Sequence, residues 1–431
     1  MIKNLEELKA EFNKVYTIKD PYAIKLLHAH YISFQLPGDP LWLVMTGPPG
    51  GLKSELINTF NSCRWIHTIS TITANTFVSG AQLGKGKPSS MLLKLSENDS
   101  NPDMKQSGII LFKDLTSLMS ETDITKSLVM AQLREIYDGK YDKTFGTGHS
   151  VNWKGKVTIL AGSTHSIHRM RQQYSGLGER FLIYDLIQPE REEASFKSIA
   201  NANSGAIANI RIDLTEMTRV YANEIIQIPA EIPEIEMKYI ENMVKVAEMA
   251  TRARSTVNRD FRSPTKDIID VPPPEMPTRF ANGLISLLKA LMVINYNETG
   301  KWVILEEDIK IVYKIALDSI TPDRRFAMQE LSKYTVIQTK ALAIKLNRPT
   351  SSLKRSVEDL VALEIATREK GSGSDGDRWT IKTKYRDLIH QFEGIENTGE
   401  ELNDANAEDE EDLLDQAIEA RDEELKKEGL F

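Results

Sequence analysis

A glycine-rich segment directly after a short apolar run constrains this chain more than any other feature. The run LWLVMTG, which begins at Leu41, is too short for a helix and is bounded by glycine, so it predicts a buried strand. The segment that follows opens a predicted helix and consists of Gly47, Pro48, Pro49, Gly50, Gly51, Leu52, Lys53 and Ser54. It fits the pattern G-x-x-x-x-G-K-[ST] except at Leu52. In that pattern, backbone N–H groups and a helix N-terminus surround phosphates.

The residue types in this segment predict ATP and Mg²⁺ as ligands. Lys53 would reach the β- and γ-phosphates, and the Ser54 hydroxyl would hold Mg²⁺. Leu52 stands where the pattern has its second glycine, so its side chain could crowd the nucleotide or alter the loop. The alternative is a plain strand-to-helix turn with an incidental Lys-Ser pair. The strand and helix on either side favour nucleotide binding.

A second apolar run, Gly108 to Phe112, is followed by Lys113 and Asp114. In ATPases that have a phosphate-binding loop of this kind, the second Mg²⁺ ligand is typically a carboxylate at the end of a buried strand. The alternative for Asp114 is a helix N-cap. Leu115 follows Asp114, at a position where many ATPases of this kind have a catalytic Glu. The base that orients the attacking water is therefore not identified. Glu135 and Glu179 are possible substitutes.

Two further strand ends carry polar residues. The run VTILAGST (157–164) predicts a strand whose last residue, Thr164, senses the γ-phosphate, with Ser163 as the second choice. Arg180 precedes the apolar run that starts at Phe181, and an arginine there can act on a neighbouring subunit's γ-phosphate. The alternatives are an ordinary hydroxyl at a turn and a surface ion pair. His165 and His168 follow Thr164, but no third ligand is evident and a metal site is not predicted.

Strands that alternate with helices predict an α/β fold with a parallel, helix-covered sheet. Sequence pattern and composition divide the chain into five parts. They are a helical segment at 1–36, a nucleotide-binding core at 37–190, a helical lid with a proline-rich connector at 191–324, a helix-turn-helix module with a hairpin at 325–392, and an acidic tail at 393–431. We expect the tail to be disordered, with a possible helix at 413–427.

The module at 325–392 has the outline of a winged helix. Helices are predicted at Thr339 to Leu346 and Thr350 to Leu363, with Thr350 as a possible N-cap, and two strands follow. In such a module the second helix enters the major groove of DNA. Its predicted DNA contacts are Arg348, Thr350, Ser351, Lys354 and Arg355, to which the wing could add Arg368, Lys370 and Arg378. Winged helices also bind proteins.

Charge is distributed unevenly along the chain. Residues 325–392 hold 13 basic and 8 acidic residues, whereas 393–431 hold 3 basic and 16 acidic ones. A basic module is a candidate nucleic-acid contact. The tail either serves solubility, or mimics DNA over the basic module, or docks a protein partner through its Leu430-Phe431 end.

In this order, the four strand-end motifs resemble those of the AAA+ ATPases, and within them the clade of the minichromosome maintenance helicases. Ala131 to Gly146 looks like the extra helix and pore hairpin of that clade, with Asp138-Gly139 as the hairpin turn and Lys143 as the lysine that touches DNA. Arg279 looks like the nucleotide-binding arginine of the lid. The segment at 112–116, FKDLT, is similar to segments in ATPases of phages and mobile elements. The resemblance implies a homo-oligomeric ring, favoured as a hexamer, with Arg180 acting in trans.

The function predicted from these features is an ATP-hydrolysing AAA+ motor on DNA, as a replication helicase or loader of a phage or mobile element. An ATP-controlled DNA-binding switch and a protein-remodelling or defence ATPase are the alternatives. The single cysteine, Cys63, excludes a disulfide scaffold and a cysteine-based zinc site. No apolar run reaches the ~18 residues of a membrane span. The charged start, MIKNLEELKA, is unlike a secretory signal, so we expect a cytoplasmic protein.

Overall fold

The computed structural model describes residues 2–79, 82–83, 87–88, 90–95, 106–146, 150–168, 180–203, 205, 207–260, 262–371, 376–394 and 401–403. The chain divides into two compact units. Unit 1 comprises Met1–Ala247 and Pro277–Ser319, and unit 2 comprises Glu248–Met276 and Ile320–Phe431. The segment 191–324, predicted as one lid, therefore contributes to both units.

Helices and strands alternate in the first part of unit 1. Its helices up to the end of the sheet are α1 (Leu5–Val15), α2 (Ala23–Ser33), α3 (Lys53–Asn58), α4 (Met91–Lys94), α5 (Thr116–Met119) and α6 (Asp123–Tyr137). Its strands are β1 (Trp42–Thr46), β2 (Ile66–Ile69), β3 (Gln82–Leu83), β4 (Lys87–Pro88), β5 (Gly108–Phe112), β6 (Lys140–Thr144), β7 (Ser150–Lys154), β8 (Val157–Ser163) and β9 (Phe181–Asp185). A 3₁₀ turn, Thr59–Ser62, extends α3.

Five of these strands form one parallel sheet in the order β2-β5-β8-β1-β9. Every residue of β1, β5 and β8 is buried, as expected for strands covered by helices on both faces. The predicted α/β class and parallel sheet are thereby confirmed. Strand β2 was not predicted, because its sequence IHTI alternates apolar and polar residues at the sheet edge.

After β9 the chain is mainly helical, as predicted. The helices are α7 (Arg191–Asn203), α8 (Ile207–Val220), α9 (Met237–Arg254), α10 (Thr278–Thr299) and α11 (Glu306–Asp318), and a π-helical turn, Tyr221–Ile225, follows α8. The segment predicted as an extended proline-rich connector contains a strand, β11 (Ile268–Asp270), which pairs with β10 (Asn258–Arg259). The connector prediction is therefore wrong in part.

Helix α2 is buried on all sides within unit 1, which explains why its polar residues have internal partners. The Lys25 ammonium lies 2.7 Å from a carboxylate oxygen of Asp308 at the start of α11. The other oxygen of Asp308 accepts hydrogen bonds from the Leu305 N–H and the Asn295 amide. This satisfied ion pair joins the first and last helical parts of unit 1.

The last part of unit 2 contains a small mixed sheet with helices around it. In chain order its elements are α12 (Pro322–Lys333), β12 (Val336–Gln338), α13 (Thr339–Lys345), α14 (Thr350–Ala362), β13 (Ala366–Glu369), β14 (Arg378–Ile381), α15 (Thr383–Glu393) and β15 (Glu401–Leu402). The sheet order is β13-β14-β12-β15. Thr350 is the first helical residue and Pro349 holds the N-cap position, so the predicted Thr350 cap is wrong. The predicted tail helix, 413–427, lies outside the described residues.

Candidate functional site

The loop between β1 and α3 has the backbone of a glycine-rich turn. Gly47, Gly50 and Leu52 have φ angles of 155°, 77° and 60°. A Cβ in the left-handed region costs about 1–2 kcal/mol, so most non-glycine residues avoid it. Leu52 therefore stands where the pattern has a glycine and adopts a left-handed conformation that glycine adopts at no steric cost.

Lys53 begins α3 and turns its side chain back into the loop. Its ammonium donates hydrogen bonds to the carbonyl oxygens of Gly47 at 2.9 Å and Pro48 at 2.6 Å. Burial lowers the pKa of Lys53, and the carboxylates of Asp114 and Asp185 act in the opposite direction. The ammonium thus lies within electrostatic reach of two strand-end carboxylates, while Pro48, Pro49 and Gly50 are exposed.

Gln188 packs against the same loop, a contact that no sequence pattern predicted. A Cβ on Gly51 would lie 2.5 Å from the Gln188 Oε1 atom and 3.0 Å from the Pro48 oxygen, and a Cβ on Gly47 would lie 3.1 Å from Gln188 Nε2. The Gln188 amide itself donates to the Leu186 carbonyl at 2.8 Å. A side chain at Gly51 would therefore have to displace the end of Gln188 and would press on the Pro48 carbonyl, whereas the φ of Gly51 itself is not in the left-handed region.

The two predicted metal ligands come together at the ends of β1 and β5. The Ser54 hydroxyl donates to the carbonyl oxygen of Lys113 at 3.4 Å, and Asp114 is the next residue. The exposed Asp114 carboxylate accepts the Thr116 N–H at 2.8 Å. Hydroxyl and carboxylate oxygens suit Mg²⁺, which keeps several waters and needs only one or two protein ligands beside substrate phosphates. These residues fit that role. Within the described residues, no three His, Cys, Asp or Glu side chains form a metal-binding group.

Strand β8 lies between β1 and β5 in the sheet. The carboxyl end of β8 therefore lies between the glycine-rich loop after β1 and Asp114 after β5. Thr164 follows the last residue of β8, and its N–H donates to the Thr116 hydroxyl at 3.4 Å. Its own hydroxyl lies 2.6 Å from that of Ser166. The Ser163 hydroxyl is buried and has no hydrogen-bond partner among the described residues. Both predicted phosphate sensors therefore lie at the correct edge of the sheet.

Asp185 and His165 add a pair that local sequence motifs did not reveal. Asp185 ends β9 and is the register partner of Thr46 at the end of β1. Its carboxylate accepts the Thr46 hydroxyl at 3.2 Å and contacts His165 Nε2 at 2.8 Å. The signal available in the sequence was an acid at the end of an apolar run, the same signal that identified Asp114.

Arg180 and Arg279 lie together at the other end of the sheet, where the parallel strands begin. Both guanidinium groups lie over the ring of Tyr137, with distances to the ring centroid of 5.2 and 5.9 Å. Tyr137 packs on Trp42, the first residue of β1. Four steps of ~3.3 Å, about 13 Å of strand, separate Trp42 from Thr46, so the Tyr137 ring and both arginines lie at the end of β1 away from the loop. The structure does not bring Arg279 to the loop of its own chain.

Of the two acids considered as catalytic bases, the described one, Glu135, does not join this site. Glu135 is exposed in the last turn of α6 and acts on the pKa of Tyr141 in β6, which burial raises. The same turn contains Tyr137 at the amino edge of the sheet. Glu179 lies outside the described residues.

The predicted hairpin is present as β6 and β7, but its turn is not where the sequence indicated. Asp138 and Gly139 connect α6 to β6, because the Asp138 N–H caps the helix and Gly139, with φ +77°, ends it. The hairpin turn lies between Thr144 and Ser150. Lys143 is next to this turn, with its ammonium 5.0 Å from the centroid of the Phe145 ring.

The predicted DNA-binding residues lie at the start of α14 in unit 2. Arg348, Thr350 and Ser351 are exposed, and the Arg348 guanidinium is 5.9 Å from the Phe326 ring centroid. Lys354 and Arg355 are half-buried. Lys354 pairs with Asp377 at 3.0 Å, and this carboxylate also binds Arg368 at 2.6 Å.

The predicted wing residues divide into two kinds. Arg368 also lies 3.5 Å from Glu358 and 5.3 Å from the Trp379 ring centroid, so the fold of unit 2 uses its charge. Lys370 and Arg378 are exposed.

No protein-family model and no curated protein matches this chain. Among the helices in the described part of the chain, none is long and apolar enough to cross a membrane.

Proposed function

We propose that this chain is an AAA+-type ATPase that binds Mg-ATP and acts on DNA. The observation that carries the proposal is the convergence of three predicted residues at the carboxyl edge of a parallel sheet. Lys53 turns its ammonium into a glycine-rich loop, and the Ser54 hydroxyl contacts the carbonyl of Lys113, the residue before Asp114, which supports a phosphate and Mg²⁺ site there. Ligands of open parallel sheets bind at this edge.

The chemistry follows from the residues present. The Lys53 ammonium would exchange its two loop carbonyls for phosphate oxygens, Ser54 and Asp114 would hold the metal, and Thr164 would contact the γ-phosphate. Mg²⁺ bound with the phosphates supplies charge neutralisation when it is present. The position of β8 between β1 and β5 supports the role of Thr164, because it lies between the loop and Asp114.

A ring of copies, with six favoured, completes the proposal. Arg180 and Arg279 share the Tyr137 ring at the amino edge of the sheet, so neither serves the loop of its own chain in this arrangement. Both could serve the loop of a neighbouring copy and stabilise charge that develops during phosphoryl transfer. This location moves the predicted role of Arg279 from its own site to a neighbour's site.

The DNA-binding part of the proposal rests on unit 2. The order α12, β12, α13, α14 and the β13–β14 pair supports a winged helix, in which α14 would enter the major groove. Arg348, Thr350, Ser351 and Arg355 would contact DNA. Lys354 would first have to exchange Asp377 for phosphate. Lys143 would add a contact from the hairpin of unit 1.

ATP hydrolysis with and without single- and double-stranded DNA tests the enzymatic part. We expect DNA-stimulated turnover that Lys53→Ala and Asp114→Ala abolish. Lys238→Ala is the matched control, because Lys238 is exposed and pairs only locally with Glu236. Nucleotide binding that is identical in the wild type and Lys53→Ala would refute the assignment of the loop.

A mixing experiment tests the role of the arginines in trans. Arg180→Ala chains keep an intact loop, and Lys53→Ala chains keep an intact Arg180. If Arg180 acts on a neighbour, a mixture of the two inactive proteins regains part of the activity. Arg191→Ala, at the exposed start of α7, is the control and should be active alone. A mixture that stays inactive would contradict action in trans.

DNA affinity as a function of salt tests unit 2. Each lost phosphate contact reduces the slope of log K against log salt by about 1. We therefore expect a shallower slope for Arg348→Ala and Arg355→Ala. Lys384→Ala removes the same charge from an exposed position on α15 and should leave the slope unchanged. Equal slopes for all three variants would favour a protein partner for the winged helix.

One observation favours a second candidate, an ATP-controlled DNA-binding switch without turnover. Leu115 follows Asp114 and is 1% exposed in the core, with its N–H bonded to the Gly162 carbonyl. No carboxylate therefore follows the metal ligand. Tight nucleotide binding with no hydrolysis in the presence of either DNA would favour this candidate.

A further inference from the structure

Three neighbouring strands end in polar residues that meet in register. Thr46 at the end of β1 pairs with Ser163 of β8 on one side and with Asp185 of β9 on the other. The Asp185 carboxylate accepts the Thr46 hydroxyl at 3.2 Å and lies 2.8 Å from His165 Nε2. A histidine from the β8 end is thus joined to an acid from the β9 end across the end of β1.

The backbone of Asp185 is held by helix α11, which fixes the direction of this acid. Its N–H donates to Asp318 at 2.8 Å, and its carbonyl accepts the Lys314 ammonium at 2.7 Å. Lys314 in turn pairs with Asp318 at 2.6 Å. These bonds fix the main chain of Asp185, and its carboxylate contacts both the Thr46 hydroxyl and the His165 ring.

The pair lies at the phosphate end of the candidate site. Asp185 accepts the hydroxyl of Thr46, which directly precedes Gly47, so its carboxylate lies at the start of the loop where phosphates would bind. His165 directly follows Thr164, and its side chain is 44% exposed, which gives it access to water. The buried Leu115 supplies no acid at the end of β5.

We infer that His165 is the general base of this site and that Asp185 positions it. The inference rests on the proposed ATPase function and names a residue for the step that the sequence left without one. A carboxylate that accepts from Nε2–H leaves the lone pair of the neutral ring on Nδ1. A histidine held in this way is suited to proton transfer near neutral pH.

The step balances without any further reactant. The water oxygen forms a bond to the γ-phosphorus while its proton moves to His165 Nδ1. The bond from the γ-phosphorus to the bridging oxygen breaks, and ADP leaves with that electron pair. The imidazolium is stabilised by the Asp185 carboxylate and then releases its proton to solvent or to the phosphate product.

The test compares variants of the full-length protein for turnover and for binding of ATP. We expect His165→Gln to lower kcat by about 10²- to 10⁴-fold with ATP affinity changed less than threefold. Asp185→Asn keeps an acceptor beside Thr46 and should lower kcat by about 10- to 100-fold. Added imidazole should restore part of kcat to His165→Ala, which a purely structural histidine would not allow. His67→Gln is the matched control, on the edge strand β2 of the same sheet.

The outcomes separate this inference from the proposed function. Wild-type turnover that Lys53→Ala abolishes but His165→Gln leaves within twofold would overturn the inference and leave the ATPase standing. An equal loss of kcat and ATP affinity in His165→Gln, without rescue by imidazole, would make the pair a structural ion pair. A wild-type protein that binds ATP without turning it over would overturn the assignment of His165 as general base and favour the ATP-controlled DNA-binding switch.

Discussion

Two buried histidines on α2 should make unit 1 sensitive to mild acid. His30 Nε2 lies 3.1 Å from the Leu41 carbonyl and 2.9 Å from the Ile159 carbonyl in β8. His28 Nδ1 lies 2.8 Å from the Ile24 carbonyl, and its ring packs 4.9 Å from Phe60. Neither ring has a carboxylate among these contacts, so protonation would place a charge in the core.

The size of the effect follows from the pKa values. Burial lowers the pKa of His28 and of His30 from 6.5 to about 4. Between these values the unfolded chain binds more protons than the folded chain, so stability is complete above pH 6.5 and falls as the pH drops towards 4. At pH 5 the free energy of unfolding is lower by about 2 kcal/mol per histidine, because a shift of one pKa unit corresponds to about 1.36 kcal/mol. Such a loss is large beside the ~5–15 kcal/mol of a typical domain.

Urea unfolding at pH 7.5 and pH 5, followed by tryptophan fluorescence, measures this. Four of the five tryptophans lie in unit 1 and report mainly on it. His28→Phe removes one titrating ring from an aromatic cluster, so the stability difference between the two pH values should shrink by about 2 kcal/mol. Phe60→Leu disturbs the same cluster and should keep the full difference. A His28→Phe protein with the pH dependence of the wild type would refute the reasoning.

Three further changes test other parts of the structure. Asp308→Ala removes the nearest partner of the Lys25 ammonium, which keeps Glu307 at 3.1 Å, and it leaves the Asn295 amide and the Leu305 N–H without their acceptor, so it should cost about 1–3 kcal/mol in urea unfolding; no measurable cost would contradict this. Gly51→Ala should weaken ATP binding because the new Cβ meets the Gln188 amide, and adding Gln188→Ala should recover part of it; no recovery would point to the Pro48 oxygen instead. Removal of residues 404–431, with 12 acidic and 3 basic residues, should strengthen duplex binding at low salt if the tail competes with DNA, whereas equal affinities would leave the tail a solubility role. The cut follows Asn403 because Leu402 is buried in the sheet.

The sequence predicted those elements whose pattern is local. Strands β1, β5, β8 and β9 were expected because each is a short apolar run next to glycine or a polar residue, and each is buried. Strand β2 was missed because an edge strand needs no continuous apolar run. The hairpin turn was misplaced because Asp138-Gly139 has the composition of a turn, although Gly139 ends a helix.

The candidate site was predictable only where one segment carries the signal. The loop and Asp114 follow from their own neighbours in sequence. The strand order brings three further residues to the loop, because β9 lies beside β1 and β8 lies on its other side. They are Asp185, His165 and Gln188. Strand order is a property of the whole sheet, so no window of sequence contains it. For the same reason, the shared position of Arg180 and Arg279 on Tyr137 emerges only from the fold.

The two departures from the family pattern have different physical consequences. At position 52 Leu52 has a φ of +60°, the left-handed region that glycine adopts freely, so the leucine takes a backbone conformation that is typical of glycine. At position 115 the pattern needs a side chain that reaches water, and Leu115 instead packs in the core at 1% exposure. A glutamate there would bury a carboxylate unless the strand end moved. The proposed nucleotide binding is therefore compatible with both departures. The proposed hydrolysis would need a base from another strand, the role that we infer for His165, which Asp185 holds.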